Sequence, residues 1–178
     1  MDIKIIDDFL DKEEFNTIKY TLLHNSFPWF LRQVLDDEIS QTYEYNFQFV
    51  HMFFDEGPSV FFDILNPVLN KLEIVDIDKI KSNLLTRTDK IVKHGFHVDN
   101  LDAKPNHRTS ILYINNCDGY TEFEDGTKVY SKENRLVTFP TTMRHTGTTC
   151  TNNHLRLVIN FNYTVKDWLR LYSLLQQE

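Results

Sequence analysis

Residues 155–163 read LRLVINFNY, a stretch in which apolar side chains alternate with a more polar set. Successive side chains of an extended strand point to opposite sides, so the alternation predicts a strand with two unlike faces. The apolar face carries Leu155, Leu157, Ile159 and Phe161. The other face carries Arg156, Val158, Asn160 and Asn162. We therefore expect one face to pack in the core and the other to look into a polar space.

Strand character of this kind runs through the second half of the chain. Short runs rich in Ile, Leu, Val, Thr and Phe are separated by turn-forming residues such as Asn-Asn, Asp-Gly and Lys-Glu-Asn. The predicted strands are 81–88, 108–115, 121–124, 127–130, 135–139 and 155–163. Strands joined by such short turns form an antiparallel meander, which favours a sandwich or a barrel.

The first half of the chain shows helical spacing instead. Asp11 is a candidate cap for a first helix, and Glu14 could complete a capping box. A second helical pattern follows Ser59, another candidate cap, and Pro67 inside it predicts a kink or a break. Further elements are expected as strands at 3–6 and in the second half of 27–57, and as a closing helix at 165–175. The predicted fold class is therefore α+β, mainly β.

Length and composition narrow the class of protein. A chain of 178 residues that is 41% hydrophobic fits a single domain, spanning 1–178, with a substantial core. Its net charge of -7 disfavours nucleic acid as a partner, and no apolar run approaches the roughly 20 residues of a membrane-spanning helix. Two cysteines, Cys117 and Cys150, are too few for a disulfide framework. We expect a cytoplasmic protein without a membrane or nucleic-acid partner, either a monomer or a homodimer.

A candidate metal site begins in the stretch KHGFHVDN, residues 93–100. His97 and Asp99 lie two positions apart, so both side chains can point at one ion from an extended segment. A third ligand could come from further along the chain, where His145 is better placed than His107 or His154 because it follows the apolar run RLVTFP. Two histidines and one carboxylate on one face of a metal suit non-haem Fe(II). His94 is out of phase with the pair and is expected to be a loop or entry residue.

Arg156 adds an anion-binding candidate to the metal candidate. A guanidinium on an inward-looking strand face requires an anionic partner, because burying an unpaired charge is costly. Its planar fork could hold a carboxylate through two parallel hydrogen bonds. Tyr113, in the strand TSILYIN, could give the same anion a second donor through its hydroxyl.

Taken in order, these motifs resemble a known family. HVDN, TSILYINN, DGYTEFEDG, RLVTFPTTMRHTG and LRLVINFNY resemble the prolyl 4-hydroxylase-like branch of the Fe(II)/2-oxoglutarate-dependent dioxygenases, over residues from about 81 to 163. The resemblance implies a double-stranded β-helix (jelly-roll) core at 80–164, a mostly helical support at 1–79 and a C-terminal helix at 165–178. In DGYTEF the usual paired glycine is replaced by Gly119 and Tyr120, a change that we expect to alter the pocket rim.

The resemblance also implies roles for individual residues. His97, Asp99 and His145 would bind Fe(II), Arg156 would anchor the far carboxylate of 2-oxoglutarate, and Tyr113 would assist. Ile111, Val158 and Asn160 would line the pocket floor. The implied reaction consumes O2 and 2-oxoglutarate, with ascorbate as a further candidate requirement, and hydroxylates an unactivated C–H bond with release of succinate and CO2. The leading substrate is a prolyl residue of a peptide or protein, followed by a free amino acid or another small molecule.

Two other functions are compatible with a metal-binding barrel. One is a non-redox metalloenzyme on a cupin-like barrel, such as an isomerase, which would need a fourth protein ligand or a general base near the metal. The other is a non-catalytic binding module that has kept the barrel. The sequence offers no obvious fourth ligand, and the complete triad together with Arg156 argues against the binding module.

Overall fold

The computed structural model describes residues 3–34 and 47–166 of the chain. Within these ranges the α-helices are α1 (Lys12–Leu22) and α2 (Asn66–Lys71), and a 3₁₀ helix (Phe62–Leu65) leads directly into α2. The strands are β1 (Lys4–Ile6), β2 (Phe30–Gln33), β3 (Phe47–Phe54), β4 (Ile74–Thr86), β5 (His107–Tyr113), β6 (Tyr120–Phe123), β7 (Lys128–Tyr130), β8 (Arg135–Pro140), β9 (His145–Gly147) and β10 (Leu155–Val165).

The strands form two antiparallel sheets. The larger sheet has the order β1-β8-β5-β10-β4-β3-β2, and the smaller has the order β7-β6-β9. Residues of the smaller sheet pack against the central strands of the larger one, as in a jelly roll. The fold class predicted from the sequence, mainly β with a double-stranded β-helix core, is confirmed.

Strand β10 lies at the centre of the larger sheet and separates two layers. Its apolar face, with Leu157, Ile159 and Phe161, packs against Ile18 of α1 and Val68 of α2. Each such fully buried side chain contributes about 1.5–3 kcal/mol of hydrophobic stabilisation. The opposite face, which carries Arg156, Val158, Asn160 and Asn162, lines a cavity between the two sheets. The alternation in LRLVINFNY is therefore confirmed residue by residue.

The first 79 residues are less helical than expected. Strands β1, β2 and β3 lie there, and β4 begins at Ile74 rather than at residue 81. Strand β2 has no counterpart in the sequence prediction, because all four of its residues are exposed and show no alternation.

The predicted helix caps are only partly correct. Asp11 occupies the N-cap position of α1 but makes no side-chain capping hydrogen bond, so the capping box with Glu14 is wrong. Ser59 precedes the helical segment and does not cap it, although its hydroxyl accepts a hydrogen bond from the Phe61 amide at 3.3 Å. The break at Pro67 is confirmed, since the 3₁₀ helix ends at Leu65 and α2 starts at Asn66.

Two predictions involve the ends of the described ranges. The closing helix was expected from Val165, but this residue belongs to β10, and residues 167–175 lie outside the described ranges. The strand expected in the second half of 27–57 corresponds to β3, and residues 35–46 also lie outside. No helix among the described residues is long and apolar enough to cross a membrane.

Candidate active site

The three predicted metal ligands lie together at one end of the cavity. The segment that precedes Asp99 runs beside β9, and His97 and His145 exchange backbone hydrogen bonds of 3.0 and 2.9 Å. This pairing places the two imidazoles side by side, with ring centroids 4.7 Å apart. One ligand atom from each of His97, Asp99 and His145 lies within 4.8 Å of the others. The structure therefore brings together residues that are almost 50 positions apart in the sequence.

Backbone carbonyls orient both imidazoles toward the shared point. Nδ1 of His97 lies 3.3 Å from the Gly95 carbonyl, and Nδ1 of His145 lies 3.0 Å from the Met143 carbonyl. When each Nδ1 donates its proton there, the Nε2 lone pairs are free to bind a metal. The Nε2 atoms of His97 and His145 lie 3.6 and 3.9 Å from Oδ1 of Asp99.

The Asp99 carboxylate is held through its other oxygen. Oδ2 accepts hydrogen bonds from the Thr109 hydroxyl and the Asn162 amide, both at 2.8 Å. Burial alone would raise the pKa of Asp99, but His97, His145 and these two donors hold it well below its usual range. Oδ1 therefore faces the two imidazoles as a charged, single-oxygen ligand.

The two histidines differ in their surroundings. The His145 side chain is 5% exposed and packs against the ring of Phe139 at 4.7 Å, and this burial lowers its pKa. The His97 side chain is 55% exposed, and its contact with Asp99 raises its pKa. Metal binding requires neutral imidazoles, and the lowered pKa of His145 favours that form.

The ligand cluster opens into a cavity of about 580 Å³ between the two sheets. Strands β4 and β10 line one side, and β6 and β9 contribute to the other. Ile111, Val158 and Asn160, expected on the pocket floor, all line it. A cavity of this size accommodates a small organic ligand.

Arg156 lies in the same cavity and is almost completely buried, with 2% exposure. Its guanidinium donates to Ser131 Oγ at 2.9 Å, Thr121 Oγ1 at 3.2 Å and the Thr148 carbonyl at 3.4 Å. These acceptors are neutral, and in residues 3–34 and 47–166 no carboxylate pairs with the guanidinium. Burial lowers the pKa of Arg156. A buried cation without a counter-charge marks the binding position of an anion.

Tyr113 supports Arg156 from behind instead of lining the cavity. Its ring centroid lies 5.6 Å from the guanidinium carbon, within the range of a cation–π contact. Its hydroxyl lies 2.8 Å from Thr121 Oγ1 and 3.3 Å from the Val129 carbonyl, and burial raises its pKa. Tyr113 is not among the residues that line the cavity, and its role as a second donor to the anion stays a prediction.

The unusual Gly119-Tyr120 pair has a different role from the one expected. Tyr120 does not line the cavity; its ring packs against Tyr130 at 5.4 Å and beneath the Lys128 ammonium at 4.6 Å. The prediction of an altered pocket rim is therefore wrong. Gly119 matters more, because a Cβ atom there would lie 2.5 Å from Cδ of Arg156 and 2.6 Å from the Thr149 carbonyl oxygen.

The donor set fits Fe(II). Two imidazoles and one carboxylate converge from one side, and each of these side chains is oriented by a further hydrogen bond. This is the two-histidine, one-carboxylate triad that leaves open positions on non-haem iron. Within the described ranges, no fourth His, Cys, Asp or Glu joins the group.

Comparison with solved structures identifies the fold. An oxidoreductase of the 2OG-Fe(II) oxygenase family from Burkholderia pseudomallei superposes with a TM-score of 0.64 at 12% identity, over 91% of this chain and 84% of that chain. This chain has the 2OG-Fe(II) oxygenase fold. A Trichoplax adhaerens prolyl hydroxylase, in complex with a hypoxia inducible factor peptide fragment, gives 0.60 at 15% identity, over 91% and 83%. A Pseudomonas putida prolyl-4-hydroxylase gives 0.57 at 12% identity, over 92% of both chains. No protein-family model and no curated protein matches the sequence.

Some residues of the oxygenase-fold site were not found from the sequence. Thr109 was missed, although it shares a strand face with Ile111 and Tyr113. Asn162 was placed on the polar face of 155–163, but its hydrogen bond to Asp99 was not predicted. Ser131 follows β7 and Thr148 follows β9, and no sequence pattern connects them to Arg156. Their contacts arise from the tertiary fold.

The remaining histidines do not join the metal cluster. His94 lines the cavity, as expected for an entry residue. His51 is buried in an aromatic layer, where Nδ1 lies 3.0 Å from the Pro28 carbonyl. His107 lies 3.3 Å from Asp78, and His154 is exposed.

Proposed function

We propose that the protein is an Fe(II)- and 2-oxoglutarate-dependent dioxygenase that hydroxylates an unactivated C–H bond. The observation that carries this proposal is one cavity with a two-histidine, one-carboxylate cluster and a buried guanidinium that lacks a counter-charge. 2-Oxoglutarate has the matching chemistry, because one end can chelate iron and the other is a carboxylate that suits Arg156.

The protein's own residues would bind and orient the reactants. His97, Asp99 and His145 would hold iron, and Arg156 would fix the far carboxylate through its fork. Bound iron and 2-oxoglutarate would supply the oxidising power that amino-acid side chains lack. In the balanced reaction, one oxygen atom of O2 enters the substrate C–H bond and the other enters succinate, while 2-oxoglutarate loses CO2. Ascorbate remains a candidate accessory reductant.

For the substrate, we propose a prolyl residue of a peptide or protein, followed by a free amino acid or another small molecule. The support is that prolyl hydroxylases occur among the proteins with this fold, one of them with a bound peptide fragment. The net charge of -7 remains the argument against nucleic acid. A cytoplasmic location and a monomeric or homodimeric state are likewise proposals from the sequence.

The proposal can be tested without knowledge of the substrate. Wild-type protein is mixed with Fe(II) and 2-oxoglutarate in the absence of O2, and the visible charge-transfer band of the chelate is recorded. We expect the band in the wild type and no band in Asp99→Ala, with Asp102→Ala as an exposed control on the same loop. Candidate substrates are then screened for stimulated succinate release. A folded, iron-loaded wild type that shows no band would contradict the proposal and favour an isomerase or a binding module.

A further inference from the structure

The cavity contains a second cation that the proposed reaction does not use. Lys81 lies on β4 directly opposite Asn160 of β10, and both side chains line the cavity. On the same face, the next cross-strand pair is Lys79 with Asn162, whose amide holds Asp99 at 2.8 Å. Lys81 therefore lies at the metal end of the cavity.

Like Arg156, and unlike the other two cavity cations Lys79 and Arg144, Lys81 has no acidic partner within hydrogen-bonding distance among the described residues. Lys79 pairs with Asp55 at 3.7 Å, and Arg144 pairs with Glu124 at 3.3 Å. Over residues 3–34 and 47–166, no carboxylate or carbonyl lies within bonding distance of the Lys81 ammonium. Lys81 is half-buried, and desolvation lowers its pKa while the charge of Asp99 opposes that shift. Lysine is rarely buried unless its charge is paired.

2-Oxoglutarate bound at Arg156 does not account for Lys81. Arg156 and Asn160 are four residues apart on β10, or about 13 Å at a rise of about 3.3 Å per residue. Lys81 thus lies toward the opposite end of the cavity from Arg156. In the proposed complex, Asp99 and the near carboxylate of 2-oxoglutarate would balance the two charges of iron, and Arg156 would balance the far carboxylate. In this complex no anion balances the positive charge of Lys81.

A neighbouring polar group is also without a partner. Asn83 follows Lys81 on the cavity-facing side of β4, and its Oδ1 atom is buried without a hydrogen-bond donor. Buried polar atoms without partners are destabilising, so such an atom facing a cavity is suited to a polar ligand that donates a hydrogen bond. Lys81 thus calls for an anion and Asn83 Oδ1 for a hydrogen-bond donor, so these two positions on one face of β4 indicate a polar occupant beside the metal cluster.

We propose that Lys81 is the carboxylate-binding residue for the primary substrate, which is therefore an anion with a carboxylate close to the C–H bond that is oxidised. This inference rests on the proposed function, because it assigns the substrate class of the same site. The carboxylate could be the terminal group of a small acid or the side chain of an acidic residue in a peptide. Both present the same planar anion to Lys81.

Matched acid and amide probes test this proposal. The protein is saturated with Fe(II) and 2-oxoglutarate without O2, so that Arg156 is already occupied, and binding is measured by calorimetry. N-acetyl-L-proline and its amide represent the terminal carboxylate. N-acetyl-L-glutamic acid α-amide and N-acetyl-L-glutamine amide represent the side-chain carboxylate. For one pair at least, we expect the acid to bind about ten- to a hundredfold more tightly than its amide, as for a hydrogen bond to a charged group.

Two variants assign that preference to Lys81. Lys81→Gln should remove the preference and leave 2-oxoglutarate affinity within about twofold of the wild type. Lys79→Gln, which changes a lysine already paired with Asp55, should keep the preference. The proposal is overturned if neither acid is preferred, if Lys81→Gln keeps the preference, or if it weakens 2-oxoglutarate equally. A wild type that forms no chelate contradicts the proposed function instead, and the acid–amide comparison is then made on the metal-free protein.

Discussion

The two ends of the cavity are built in opposite ways. At the metal end, each ligand is already oriented by a protein partner, and His97 remains 55% exposed. At the arginine end, Arg156 is 2% exposed, and its partners among the described residues are all neutral. The metal end, at which each ligand has a hydrogen-bond partner, is thus open to solvent. The arginine end, which we call the closed end, is buried and lacks a counter-anion. Substitutions should therefore change metal affinity at the first end and the balance between stability and ligand binding at the second.

The largest effect is expected at the metal end. His97→Ala should weaken Fe(II) binding by more than about a hundredfold, because loss of an outer hydrogen-bond partner alone costs about 10- to 100-fold. The exposed position of His97 means that the metal-free fold should keep its stability within about 0.5 kcal/mol. Anaerobic Fe(II) titration and thermal unfolding measure the two quantities.

His154→Ala is the matched control for this substitution. His154 is also exposed, but it does not belong to the ligand cluster. Equal Fe(II) affinity in the two variants would show that the cluster is not the metal site.

At the closed end, replacing Arg156 should lower the affinity for 2-oxoglutarate without lowering the stability of the ligand-free protein. Arg156→Met removes a buried charge and keeps an unbranched side chain, so the ligand-free protein should be as stable as the wild type or more stable. Its affinity for 2-oxoglutarate should fall by about 2–5 kcal/mol, the usual loss when one partner of a buried charge pair is removed. Thermal unfolding should show a 2-oxoglutarate-dependent increase in Tm for the wild type and none for the variant.

Arg144→Met provides the control, since Arg144 also lines the cavity but is half-exposed and paired with Glu124. Arg144→Met should still show the 2-oxoglutarate-dependent increase in Tm. If Arg156→Met keeps it too, Arg156 is a structural residue and does not bind the cosubstrate.

The same contrast explains what the sequence could predict. His97, Asp99 and the faces of β10 follow from the two-residue period of a strand, which is a local property. His145 and Arg156 were assigned with the help of the order of the motifs. The acceptors around Arg156 come from β6, from the residue after β7 and from the residue after β9, and only the folded sheets bring them together.

Elements with exposed residues on both faces were also missed. The residues of β2 are all exposed, and the first residues of β4 are mostly half-exposed or exposed, so neither shows an apolar alternation. The period of hydrophobic residues detects strands that pack against a core on one face. Strands at a sheet edge or end are paired by backbone hydrogen bonds that leave no such pattern.

A smaller effect is expected when the metal end loses an outer hydrogen bond. Thr109→Val removes the hydroxyl that donates to Asp99 Oδ2 and preserves the shape of the side chain. Fe(II) affinity should fall by about 10- to 100-fold, because the carboxylate is then less firmly oriented. Thr109→Ser, which restores the hydroxyl, should recover most of the affinity in the same titration. Failure of Ser to recover it would mean that packing, and not the hydrogen bond, supports Asp99.

The smallest effect is expected from a substitution at Gly119, whose backbone packs against Arg156 at the closed end of the cavity. In Gly119→Ala, the new Cβ would lie 2.5 Å from Cδ of Arg156 and 2.6 Å from the Thr149 carbonyl oxygen, so the guanidinium or the backbone must shift. We expect 2-oxoglutarate affinity to fall by roughly tenfold, about 1.4 kcal/mol, with Fe(II) affinity unchanged. Anaerobic titration of the chelate band measures both affinities in one experiment.

Gly57→Ala is the control for this substitution, because a Cβ atom at residue 57 meets nothing within 4 Å. It should leave both affinities unchanged. If Gly119→Ala weakened Fe(II) and 2-oxoglutarate to the same extent, the two ends of the cavity would be mechanically coupled through β9, which carries His145 and lies directly before Thr148 and Thr149. If only 2-oxoglutarate were affected, the sheet would hold the metal end and the arginine end as independent sites. The structure favours the second outcome, because the partners that orient His97, Asp99 and His145 do not include Gly119, Thr149 or Arg156.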